Sequence, residues 1–134
     1  MPASGIDHVN ILTDDLDATA RFYEQVLGLT RTDNPAIGSA SRGAWMRDAA
    51  GNAIIHLVWK DPATDRYAGY EPGRPTNALH HVAFRCSDYA GTLAVLDAMA
   101  VPYRVSDREH LALRQVFLTD PNAINVELNF TREW

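Results

Sequence analysis

Three histidines and one glutamate, His8, His56, His81 and Glu127, stand inside short apolar runs: GIDHVNI, NAIIHLVW, LHHVAF and INVELNF. Each run reads as a β-strand. A strand built for a core seldom carries an ionisable group at its centre, because such a group has to be paired, solvated in a cavity or bound to a metal. Three imidazoles and one carboxylate suit a divalent transition metal. The four residues are far apart in sequence, so only a particular fold brings them together.

The elements that must position them come in two similar sets. Sliding the chain so that His8-Val9 falls on His81-Val82 also sets Asp15 on Asp88 and Thr19 on Thr92. After a small loop difference, Ile55-His56-Leu57 falls on Val126-Glu127-Leu128. Such self-similarity is the mark of a repeated structural unit. Each half reads as a strand, a helix and three strands. In the first half, residues 5–12 alternate like a strand. Residues 15–27 follow as a helix, with Leu16, Ala20, Tyr23 and Leu27 at helical spacing, Asp14 or Asp15 as the cap and Gly28 as the stop. Strands are expected near 29–33, 43–48 and 53–60. In the second half the strand is 79–86. A helix capped by Ser87 or Asp88 carries Tyr89, Leu93, Leu96 and Ala100 on one face. Strands near 101–106, 112–119 and 123–130 complete it.

Residues 61–78, DPATDRYAGYEPGRPTNA, have no clear period and read as a crossover loop. The expectation is one α+β domain over residues 1–134, with module one at about 5–60, the linker at 61–78 and module two at about 79–132. Side chains alternate along a strand, so Asn125, Glu127 and Asn129 share one face of the last strand. The apolar Ile124, Val126, Leu128 and Phe130 share the other, which should pack on helices. The repeat sets His8 against His81 on the first strands and His56 against Glu127 on the last. His80 falls on Asp7 in that alignment, so His81 is preferred to it.

A chain of 134 residues with 46% hydrophobic and 22% charged residues has an ordinary globular composition. A net charge of −5 argues against nucleic-acid binding. No apolar run is long enough to cross a membrane, and the first residues lack the pattern of a secretory signal. A single cysteine, Cys86, fits a reducing, cytoplasmic setting.

The segments DHVNILTDDLDATARFYEQVLGL, HHVAFRCSD and FLTDPNAINVELNF make the chain resemble the vicinal oxygen chelate superfamily. That superfamily includes glyoxalase I, extradiol dioxygenases and bleomycin resistance proteins. The resemblance implies paired βαβββ modules forming a curved mixed sheet around a divalent metal, a small-molecule substrate and a homodimer. By position, His8, His81 and Glu127 match the common metal ligands. His56 matches the fourth ligand of the lyases and isomerases.

The fold alone does not decide the chemistry. The segment from His110 through Val116-Phe117 and Asp120-Pro121 to Glu127 resembles the extradiol dioxygenase signature. It departs from that signature at Phe117, where a tyrosine is expected, and at Ala123 and Arg108. On this reading His8, His81 and Glu127 form a facial triad on Fe(II), with open positions for a small catechol-like substrate and dioxygen. His56 is then an acid–base residue and His110 a donor behind the ligands. The narrow preference is for this dioxygenase. The alternative is a glyoxalase-I-like lyase or isomerase, in which all four residues bind Ni, Zn, Co or Mn, an enediolate is stabilised and Glu127 takes a proton. A third reading is a metal-free binding or resistance protein. Arg114 and Gln115 are candidates for holding an anionic or carbonyl group, though a salt bridge or cross-strand contact is the ordinary expectation for them. Trp45, Trp59 and Tyr103 are candidates for lining an aromatic substrate pocket, though core packing is the ordinary expectation for them. Tyr67 and Tyr70 in the linker are candidates for a lid or a dimer contact.

Overall fold

Two aspartates start the two helices in the same way, and this local chemistry sets the frame of each half. In the computed structural model, which describes residues 1–33 and 42–131, the chain forms two compact units, Met1–Pro72 and Gly73–Trp134. The division falls inside the expected linker, where the described chain runs as turns and bends. Residue 132, the expected end of the second module, lies outside the described residues.

The first unit runs β1 (Val9–Thr13), α1 (Leu16–Leu27), β2 (Thr30–Asp33), β3 (Gly43–Arg47) and β4 (Ala53–Trp59). Its sheet has the order β1-β4-β3-β2. β1 pairs with β4 in parallel, and the other neighbours are antiparallel. The Asp15 carboxylate accepts from the Ala18 amide and caps α1, and Gly28 closes the helix at φ 63°. The Thr13 and Thr19 hydroxyls hydrogen-bond at 2.8 Å within the core and tie the helix to β1. Leu16, Ala20, Phe22, Tyr23 and Val26 face inward. They meet the sheet face that carries Ile11, Ala44, Met46, Ile55 and Leu57, all buried. Leu27, expected on the inner face, is only half-buried; Val26 takes that place.

The second unit repeats the plan as β5 (Val82–Cys86), α2 (Tyr89–Ala98), β6 (Tyr103–Arg108), β7 (Leu113–Thr119) and β8 (Asn125–Thr131), with a short 3-10 turn at Glu109–Leu111. The sheet order is β5-β8-β7-β6, again with one parallel pair, β5–β8. The Asp88 carboxylate accepts from the Gly91 amide to cap α2. A Cβ on Gly91 would collide with that carboxylate, which explains the glycine. Val116, Leu118, Val126, Leu128 and Phe130 form the core, with Leu96 from the helix. Ala100 lies past the end of α2, exposed, at φ 54°. The expected four-residue inner face of this helix therefore reduces to Leu96, with Tyr89 and Leu93 half-buried. Cys86 points to the helix side, where burial pushes its thiol up to about 11. It is a thiol rather than a thiolate at neutral pH and takes no part in ligand chemistry.

The registers of the two parallel pairs are the same under the sequence repeat. Val9 and Asn10 lie opposite Ile55 and His56, and Val82 and Ala83 lie opposite Val126 and Glu127. One difference from the sequence reading concerns His8 and His81. Both lie just before their strands, not at the centre, because strand pairing begins only at Val9 and Val82. The chain upstream has no ladder partner there, which leaves both imidazoles at the mouth of a strand.

Candidate metal centre

In the first unit, alternation places His56 at the middle of β4 on the face away from α1. Its cross-strand neighbours are Asn10 on β1 and Trp45 on β3. The Trp45 indole stacks on the imidazole, with ring centroids 4.4 Å apart and planes 24° apart. The His8 ring lies edge-on to Trp45 at 4.9 Å and 6.0 Å from the His56 ring. Trp45 thus packs against both imidazoles.

Hydrogen bonds decide which ring nitrogens are free. His8 Nδ1–H donates to Asp7 at 2.7 Å. A neutral His8 then has its lone pair on Nε2, the arrangement found when a carboxylate orients a metal-binding imidazole. Asn10 Nδ2 lies 3.0 Å from His56 Nδ1 and donates to it as placed, which leaves the proton on Nε2. Turning the Asn10 amide over brings its oxygen to Nδ1, moves the proton there and frees Nε2 for a metal. Burial, with a smaller effect of the neighbouring His8, lowers the His56 pKa below the ordinary imidazole value. That favours the neutral ring, the form a metal ligand or a general base requires.

In the second unit, Glu127 is the corresponding residue at the centre of β8, and it is buried at 8% exposure. A buried carboxylate needs partners, and it has two. Gln115 Nε2 donates to Oε1 at 2.7 Å, and His81 Nε2 lies 3.1 Å from Oε2. Gln115 also donates to Asn129 and accepts from Arg108 Nε. His81, not its neighbour His80, reaches the carboxylate; the two rings meet through their Nδ1 atoms at 2.9 Å.

These donors suit a divalent ion. A proton can bridge His81 Nε2 and Glu127 Oε2, or a cation can. Adjacent ligands of a six-coordinate ion with bonds of ~2.1 Å stand about 3 Å apart, and the observed separation is 3.1 Å. Among the described residues, no group of three or more His, Cys, Asp or Glu side chains that could hold a metal is brought together. Each unit holds two of the four predicted residues in contact range.

The other predicted residues are placed differently. His110 is exposed in the 3-10 turn between β6 and β7, while the bonds to Glu127 come from His81 and Gln115. Phe117 lies opposite Glu127, and the Arg104 guanidinium sits over its ring at 4.4 Å. Arg114 turns to the helix side, where it pairs with Asp107 and lies over Tyr89. Tyr103 donates to Asp97. Asn10 is the residue the sequence did not single out, and Gln115, a candidate for holding an anionic group, makes its cross-strand contact with the Glu127 carboxylate. Asn10 was recoverable from strand alternation, since it is two residues from His8.

The sequence model of the Glyoxalase/Bleomycin resistance protein/Dioxygenase superfamily matches residues 5–128. The chain belongs to this superfamily. A curated superfamily relative, Glyoxylase I 4 of Arabidopsis thaliana, is 24% identical over 128 residues, covering 93% of this chain and 70% of its own. A glyoxalase/dioxygenase of Nostoc punctiforme has the same fold, with TM-score 0.74 and 18% identity over 97% of this chain and 92% of its own. So does a variant of the fosfomycin resistance protein FosX of Listeria monocytogenes, solved with Mn(II) and 1S,2S-dihydroxypropylphosphonic acid. Its TM-score is 0.70, with 18% identity over 96% of this chain and 93% of its own. Superfamily membership agrees with the α+β architecture of two βαβββ units; it leaves the substrate and the reaction open. Among the described residues no helix is long and apolar enough to cross a membrane.

Proposed function

We propose that this superfamily member is a divalent-metal-dependent enzyme whose metal ligands are drawn from His8, His56, His81 and Glu127. It acts on a small oxygenated substrate by proton transfer of the glyoxalase I kind. The observation that carries the reading is the buried Glu127 carboxylate, fixed by Gln115 and set 3.1 Å from His81 Nε2. The name of the Arabidopsis relative, Glyoxylase I 4, supports this reaction class, and the FosX structure solved with Mn(II) supports a divalent metal.

When bound, the ion supplies Lewis-acid charge that stabilises a developing oxyanion on the substrate. The rest falls to the protein. Asp7 holds the His8 ring in the tautomer with Nε2 free. Gln115 keeps the Glu127 carboxylate in one orientation. Trp45 covers one face of His56 and keeps it from bulk water, so that a neutral imidazole persists near neutral pH. A homodimer acting on a small molecule completes this reading.

An Fe(II) extradiol-type dioxygenase is the second reading. The Asn10–His56 contact favours it: as placed, His56 carries its proton on Nε2 and serves as an acid rather than a ligand. The residues that would mark that chemistry are weaker. His110 is exposed in its turn, and Phe117, lacking a phenol, is covered by Arg104.

Metal-loaded protein assayed with 2-oxoaldehyde–thiol adducts in deuterated water tests the choice. Turnover with solvent deuterium in the product is expected. Oxygen uptake with catechols on iron, and no turnover of the adducts on any divalent metal, would overturn it in favour of the dioxygenase.

Gln115→Leu is expected to weaken metal binding by about 10- to 100-fold, the usual effect of losing a residue that orients a ligand. Isothermal titration with Mn(II) measures it, and an unchanged affinity would show that Glu127 needs no such support.

A further inference from the structure

The sheet face that carries Glu127 also carries arginines. Register fixes which residues share it. The row through Glu127 contains Ala83, Phe117 and Arg104, and the next row contains Arg85, Asn129 and Gln115. Arg108 lies on the same face of β6 and hydrogen-bonds Gln115. Across the four strands of this unit, three arginines therefore share a face with one carboxylate, Glu127. The remaining acidic strand residue, Asp107, has opposite parity and pairs with Arg114 on the helix side.

This is unusual in a chain of net charge −5. Surface arginines in an acidic protein ordinarily find carboxylates. Arg85 and Arg104 are exposed, and neither meets a carboxylate among the described residues. Arg104 is nonetheless held in place, its guanidinium lying 4.4 Å above the Phe117 ring. That stacking orders the side chain and leaves its N–H donors free. Phe117 is the cross-strand neighbour of Glu127, so Arg104 lies on the same row of the sheet as the candidate ligand.

We propose that this face recognises an oxyanion, with Arg104 as the donor and Arg85, on the opposite edge strand, as a second contact for a longer substrate. The substrate class of the site is then a small molecule bearing a carboxylate, phosphate or phosphonate group in addition to the oxygens near Glu127. The inference names the substrate class of the metal site proposed above, but the arginines belong to the second unit alone and can be examined without metal. A guanidinium binds such groups through two parallel N–H···O bonds, which gives orientation as well as affinity. The anion anchors one end of the substrate and presents the other to Glu127 and His81.

The test uses metal-free full-length protein with inorganic phosphate and acetate as probes, followed through the arginine Nε–H resonances and by calorimetry. The wild type is expected to bind phosphate, with affinity falling as salt is added. Arg104→Gln is expected to lose about tenfold or more, as for a charge-assisted hydrogen bond. Arg85→Gln is expected to lose less, and Arg66→Gln in the other unit nothing. A preference for phosphate over acetate would assign a tetrahedral dianion, and the reverse a carboxylate. Glu127→Gln removes a negative charge from the face and is expected to bind phosphate at least as tightly as the wild type while losing Mn(II). The proposal is overturned if the wild type binds neither probe, or if Arg104→Gln and Arg85→Gln, shown folded by circular dichroism, both bind as the wild type does. A wild type that binds phosphate through Arg104 but takes up no Mn(II) would instead overturn the metal reading and leave this one standing.

Discussion

Glu127→Gln is expected to weaken divalent-metal binding by at least ~100-fold, more than the loss of an orienting residue alone, while leaving the fold intact. The physical reason lies in the two oxygens. Oε1 accepts from Gln115 and Oε2 faces His81 Nε2 at 3.1 Å. The glutamine has the same shape. Its amide oxygen still accepts from Gln115, and its amide nitrogen then faces the imidazole, so no buried group is left unsatisfied. What is lost is the anionic donor on the metal, since a neutral amide is a poor ligand beside imidazoles. Titration with Mn(II), alongside thermal melts, separates the two effects. An unchanged affinity would remove Glu127 from the ligand set.

The second large effect is on stability, in the residues that hold the candidate ligands in place. Leu57 and Leu128 follow His56 and Glu127 directly, point to the opposite faces of β4 and β8 and are fully buried at 0% exposure. They are the same position of the repeat. Leu57→Ala and Leu128→Ala should each cost about 2–5 kcal/mol, combining lost transfer energy with the cavity left behind. Leu57 lies opposite Ile11 and Ala44 on a sheet face under a well-buried helix. Leu128 belongs to a unit whose helix buries only Leu96. A site with fewer helix contacts can relax further, so the cost at Leu128 should fall toward the lower end of that range. Urea unfolding at constant slope measures both. A loss below about 1 kcal/mol at either, less than the usual leucine-to-alanine range, would show that the residue is not in the core described.

Much of this architecture was legible because its signals are local. Asp15 and Asp88 stood out as a repeated pair, and both prove to be helix caps making the same bond three residues on. Strand alternation read Glu127 and Asn129 onto one face and Val126, Leu128 and Phe130 onto the core, as observed. Long-range pairing was harder to read. His8 and His81 looked like mid-strand residues, because nothing in the sequence states where a parallel partner begins. The inner face of α2 was over-read, because Leu93 and Ala100 keep helical spacing whether or not a sheet covers them. Gln115 and Arg104 were missed as partners of Glu127 and Phe117 because cross-strand register, not sequence spacing, makes them neighbours. His110 is suggested by the resemblance of its segment to the extradiol dioxygenase signature, which a turn residue can satisfy without meeting the carboxylate.

Divalent-metal binding is the property most directly open to measurement. The most direct measurement is the metal content of protein purified without oxygen or added metal, and again after dialysis against Mn(II). Near-stoichiometric metal in the wild type, lost in His81→Ala and in Glu127→Gln, is the predicted result. Protein that carries no metal as purified and takes up none on dialysis would contradict it in favour of a metal-free binding or resistance protein.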